Sequence, residues 1–167
     1  MADRTITTHA VRPDEQALRR RLLAVATITT VLGTLHFVDH VVRGRLVVDR
    51  GLDPSWNHSG WPFAARFTPF TVSLVLVYLL MVGGIVFTLR GRLWAGYWLG
   101  AAIVLCLVVV QVHFLGGSRS ELPTVIYDTY DQPGPGVAAL LDLFATIASL
   151  VVMAVNAVWV RRISGRW

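Results

Sequence analysis

Segments 22–42, 69–89, 93–115 and 137–160 are each apolar over about the 20 residues that a helix needs to cross a ~30 Å hydrocarbon core. In lipid every backbone N–H and C=O must find its partner inside the segment, so such stretches can only be helices. The chain therefore predicts an all-α integral membrane protein, a single four-transmembrane-helix antiparallel bundle over residues 1–167. Residues 1–21 form an arm, and outer loops fall at about 43–67 and 116–136. A hydrophobic content of 54% against 15% charged residues agrees, because a soluble domain of this length could not bury so much apolar surface.

The fifteen basic residues are all arginine and gather where the apolar segments end, which suits headgroups rather than nucleic acid. Placing the arm, the Arg90-Gly91-Arg92 turn and the C-terminal tail on one side collects ten arginines there and leaves five opposite. The positive-inside rule then puts both termini in the cytoplasm of a multi-pass plasma-membrane protein, and arginine without lysine hints at a GC-rich bacterial genome. Arg19-Arg20-Arg21 resembles a signal-peptide n-region, but the apolar run is long and lacks a small-residue cleavage site before His36, so the first segment is expected to stay. Cys106 is the single cysteine, which excludes an internal disulfide. No phosphate-binding or dinucleotide glycine fingerprint is present, which argues against a nucleotide-binding role.

Local signals sharpen the picture. Thr68-Pro69 is an N-cap followed by a first-turn proline. Asp14 offers a second cap, for a helix running through Glu15, Gln16 and the arginine triplet into the first span, Gly83-Gly84 permits close helix approach, and Trp94, Tyr97, Trp98 and Trp159 read as interfacial anchors. Two outer loops longer than simple connections suggest a cap over a site, the second ending in a stiff Gln132-Pro133-Gly134-Pro135-Gly136 hinge.

The site itself is announced by LHFVDHVVRGR, residues 35–45. His36, Asp39, His40 and Arg43 follow the i, i+3, i+4, i+7 pattern, so they share one helix face, extended inward by Thr29. Lipid cannot face that ridge, because an ionisable group at that depth costs several kcal/mol unless it is paired or wet. The fourth segment offers Asp142, Thr146, Ser149, Met153 and Asn156 as a matching stripe, with Thr, Ser and Asn expected as interhelical glue. Gln111 and His113 lie two residues apart on the third segment, so only one of them can point at the ridge. His58, in the first loop, is placed to fold over it. Taken singly, Arg43 also reads as a snorkelling helix-end charge, His113 as a wet interfacial histidine and His58 as a turn residue.

Several chemistries suit that constellation. A metal ion can be held by His36, His40 and His113 with Asp39 or Asp142 completing the set or orienting a ligand, and with Arg43, His58 and Gln111 in support. A b-type haem can be held by His36 or His40 against His113, and only one, since the inner half carries no histidine. Asp39 and Asp142 can instead act as catalytic acid and base in a lyase or cyclase working on a lipid, or His and Asp can serve proton-coupled transport. An accessory or assembly subunit with a structural polar network is the non-catalytic alternative. The expected partners are membrane lipids and a homo-oligomer or larger membrane complex, with no nucleic acid.

Overall fold

A computed structural model describes residues 13–54, 56, 68–116 and 118–164. Within them the chain forms helices α1 (Pro13–Asp49), α2 (Pro69–Leu89), α3 (Ala95–His113), α4 (Pro123–Thr129) and α5 (Pro133–Ser164), with a 3₁₀ turn at Arg119–Glu121 just before α4. No strand occurs among the described residues. The four long helices are long and apolar enough to cross a membrane. His58 and its neighbours at 57–67 lie outside the described residues.

The second segment begins and ends where its punctuation says. Thr68 Oγ1 accepts from the Thr71 N–H at 3.2 Å, and Thr71 Oγ1 accepts from the Thr68 N–H at 2.8 Å, a reciprocal cap that fixes the start of α2. The other helix limits depart from the apolar boundaries. The first helix runs over 37 residues rather than 22–42, roughly 55 Å at 1.5 Å per residue, so it projects beyond a hydrocarbon core. Hydropathy marks where lipid contact stops, and arginine or aspartate does not stop a helix. For the same reason α5 begins at Pro133, so the expected hinge at 132–136 is instead its first turn, where proline lacks only an N–H that would be unpaired anyway.

The inner part of the core is made by Leu22 and Ala26 of α1, Met81 of α2, Trp98, Ala102 and Leu105 of α3, and Leu150, Met153 and Ala157 of α5. Large apolar side chains such as Ile28, Val31, Leu35, Val38 and Val42 point outward along the other face of α1, as lipid-facing residues do. Trp98 is not an interfacial anchor. It is fully buried and donates its indole N–H to Thr88 Oγ1 at 2.9 Å, whereas Trp94 and Trp159 are exposed. Gly84 makes room for it, since a Cβ there would stand 2.6 Å from the Tyr97 ring and 2.9 Å from the Trp98 ring. Arg19 binds the carbonyls of Thr88 and Leu89 and so closes the C-terminal end of α2, while Arg20 and Arg21 are exposed.

The segment between α3 and α5 is a folded cap. Ile126 of α4 packs on Ala139 and Leu143 of α5, burying an apolar cluster separate from the inner core. Gly136 allows that approach, because a Cβ there would come within 2.8 Å of the Tyr127 carbonyl. Ser120 donates to the Asp53 carbonyl at 3.0 Å, tying this cap to the residues that follow α1.

Candidate metal centre

The ridge on α1 turns inward as its spacing requires: His36, His40 and Arg43 are all buried. From α3 it is His113 that meets them, while Gln111 is exposed two residues away and is not brought to the site. His36 Nε2 lies 3.1 Å from His113 Nε2 and 3.2 Å from His40 Nε2. The three imidazoles touch edge to face, with His36 ring centroids 4.7 Å from His40 and 5.0 Å from His113. Phe70 of α2 covers the His40 ring at 5.5 Å.

The outer nitrogens face oxygens. His113 Nδ1 lies 2.7 Å from the Glu121 carbonyl oxygen, which can only accept, so that nitrogen carries the proton and Nε2 presents a lone pair. His40 Nδ1 stands 3.4 Å from Glu121 Oε2, and His36 Nδ1 stands 3.6 Å from Asp142 Oδ2. These two contacts are electrostatic rather than hydrogen bonds. Neither the His36 nor the His40 Nδ1 has a hydrogen-bond partner, so only His113 has its tautomer fixed by a neighbour.

Glu121 is the residue that the sequence does not reveal. It reads there as one of several acids beyond the outer boundary, but the 3₁₀ turn places it at 0% exposure in the middle of the site. Its Oε2 accepts from Arg43 Nη2 at 2.8 Å and its backbone carbonyl orients His113. Arg43 therefore does not snorkel. Its Nε donates to Asp39 Oδ2 at 2.6 Å, and Tyr130, just before α5, donates its hydroxyl to Asp39 Oδ1 at 2.6 Å. Burial, and then the Asp39 carboxylate beside it, push the Tyr130 phenol above its ordinary pKa, which keeps it a donor. No local pattern in the sequence sets Glu121 apart from Asp128 and Asp131.

The two aspartates have distinct places. Asp39 is turned to Arg43 and Tyr130 and away from the Nε2 atoms. Asp142 lies behind His36, and neither of its buried carboxylate oxygens has a hydrogen-bond partner. Lower on α5, Ser149 and Asn156 bond to carbonyls of their own helix, at Thr146 and Val152, rather than gluing it to its neighbours. Below the histidines a cavity of about 60 Å³ runs between α1, α2, α3 and α5, with the three rings at its upper end.

No family model, characterised protein or solved structure matches the chain. The site must be read from its own chemistry. Three histidines, His36, His40 and His113, have ligand atoms all within 4.8 Å of one another, an arrangement that can hold a metal ion.

Proposed function

We propose that this protein is a membrane metalloprotein whose centre is a divalent transition metal of the zinc class, bound by the Nε2 atoms of His36, His40 and His113. One observation carries the reading: the three histidines bring ligand nitrogens within 4.8 Å of one another, with His113 Nδ1 bound to a carbonyl and the Nδ1 atoms of His36 and His40 3.6 and 3.4 Å from carboxylate oxygens. Ligating histidines characteristically give their second nitrogen to a carboxylate or carbonyl, which fixes the tautomer and raises basicity. Nitrogens bound to one tetrahedral ion at about 2.0–2.1 Å stand roughly 3.3 Å apart, close to the 3.1 and 3.2 Å separations of His36 from His113 and His40, with His40 and His113 within 4.8 Å of each other.

Charge supports the same reading. Asp39, Glu121 and Asp142 against Arg43 leave the buried cluster with a formal charge of −2, which one dication balances. Three protein ligands also leave a coordination position open, as catalytic rather than structural zinc sites do. Glu121 and Asp142 are supporting groups on this reading, and Asp39 anchors Arg43. The histidine rings touch one another and leave no slot between them for a macrocycle, so haem is not favoured.

Elemental analysis of protein purified in detergent without added metal should find about one equivalent of a divalent transition metal, and cobalt reconstitution should give the visible bands of a tetrahedral site. A chain that retains no metal and takes up none stoichiometrically would defeat the proposal. A second reading has one specific support, the continuous Tyr130–Asp39–Arg43–Glu121 ladder, which would by itself serve a structural polar core in an accessory subunit.

For topology, we infer an antiparallel four-span arrangement in a bacterial-type plasma membrane, with both termini cytoplasmic and the metal centre in the outer half. The arginines at 19–21, 90, 92, 161 and 162 support this. Lipid surrounds the outward apolar stripes. Reporters fused after residue 167 and at Gly91 should remain cytoplasmic while one at Asp53 is exported; export of the first would reverse the orientation.

A further inference from the structure

The cavity beneath the histidines has a shape and a polarity that the metal alone does not use. Along α1 it extends from Thr29 to His40, roughly 16 Å at 1.5 Å per residue, and its floor is Met81, Leu105 and Leu150. Its walls are otherwise mainly apolar, so the space is long, greasy and polar at the histidine end. The half-buried Gly33, Phe37, Ser73 and Val77 line it along the α1–α2 seam.

Thr146 adds a second observation. It lines this cavity, is 5% exposed, and its Oγ1 is buried without a hydrogen-bond partner. The other hydroxyls along the wall are satisfied within their own helices, Thr29 by the Val25 carbonyl at 2.9 Å and Ser73 by the Phe70 carbonyl at 2.8 Å. An unpaired buried hydroxyl is costly, which points to an oxygen or nitrogen brought by a ligand.

We propose that the cavity receives the head and adjoining carbons of a single-chain lipid bearing a neutral oxygen group, an alcohol, aldehyde or ester. This rests on the metal reading for the head, whose oxygen takes the open coordination position and pairs with Thr146. A neutral head is chosen because the cluster with a dication is already balanced, so a carboxylate would add an uncompensated buried charge. By the measure in which one water needs about 10–15 Å³, the 60 Å³ space takes only the head and a short run of methylenes. The remaining chain leaves by the α1–α2 seam into lipid.

The test uses the full-length protein in lipid nanodiscs with a long-chain alcohol carrying a photoactivatable diazirine a few carbons from its hydroxyl. The label should map to Val77, Leu105 or Val109. Gly33→Leu tests the space, because a Cβ at Gly33 meets only Val77 Cγ1 at 4.0 Å and the added side chain fills the cavity without striking backbone. It should cut wall labelling at least about tenfold while the metal content stays that of wild type. Labelling confined to outward-facing Val31, Val104 and Leu107, or undiminished in Gly33→Leu, would overturn the pocket. Stronger wall labelling by the matching carboxylate probe would overturn the neutral head. If wild type holds no metal yet labels its cavity walls, the metal reading alone fails and the lipid pocket stands.

Discussion

Replacing Glu121 by alanine should destabilise the fold by about 1.5–3 kcal/mol, the range for losing a hydrogen bond to a charged group, since Arg43 keeps its pair with Asp39. The carboxylate is at 0% exposure and its loss leaves the Arg43 guanidinium, itself at 0%, with Asp39 as its remaining carboxylate. The side chain that would be lost also faces the outer nitrogens of His40 and His113, at 3.4 and 3.9 Å. Glu121→Gln should be milder, because the amide retains an acceptor for Arg43 while removing the charge. Thermal unfolding in detergent, with the metal content followed in parallel, measures both effects. A Glu121→Ala protein as stable as wild type would show that the ladder above the histidines is not a cooperative unit. Glu121→Ala lying below Arg43→Met in stability would fit, since methionine leaves carboxylates that can take up protons, whereas a guanidinium left with Asp39 alone cannot shed its charge.

Loss of any one of the three histidines should abolish stoichiometric metal retention while leaving a folded protein. His36→Ala, His40→Ala and His113→Ala each remove one ligand of three, and the remaining pair cannot hold the ion through purification. Asp142→Ala should instead weaken affinity by about 10–100-fold, the range typical of a group that orients a ligating histidine. Asn156→Ala serves as a control, since its amide bonds only to Val152 of its own helix. Competition with a metal-responsive dye gives these affinities, and melting curves of the metal-free forms show whether folding is intact. If the three histidine variants bind metal as wild type does, the converging nitrogens are not the centre. If instead each of them collapses the metal-free fold, the histidines belong to the structural core that the Tyr130–Asp39–Arg43–Glu121 ladder suggests on its own.

The two expectations separate because one concerns the carboxylates around a buried charge and the other a coordination number. Removing a neutral imidazole costs packing and a ligand. Removing Glu121 leaves the buried Arg43 with one carboxylate where it had two. A protein in which both hold would have a supporting ladder that sets the geometry and a trihistidine group that uses it.

Much of this was already written in the sequence. Four apolar segments dictate long helices, because no other structure satisfies a backbone in lipid, and Thr68-Pro69 fixes a helix start through bonds only three residues apart. The i, i+3, i+4, i+7 spacing in α1 likewise places His36, Asp39, His40 and Arg43 on one inward face, since a helix repeats every 3.6 residues. The start of α1 was legible beside Asp14, but its end at Asp49 and the start of α5 at Pro133 escaped hydropathy, which reports the solvent of a side chain and not the hydrogen bonding of its backbone. What only the tertiary structure decided is which partners that face meets. His113 rather than Gln111 turns inward because of how α3 is rotated against α1 and α5, and no local pattern encodes that angle. Glu121 and Tyr130 reach the site because Ile126 and Gly136 dock α4 on α5, a contact between segments whose relation exists only once the chain has folded. Local periodicity acts over one turn of helix, whereas the convergence of three imidazoles and the carboxylates behind them depends on packing across 77 residues of chain between His36 and His113.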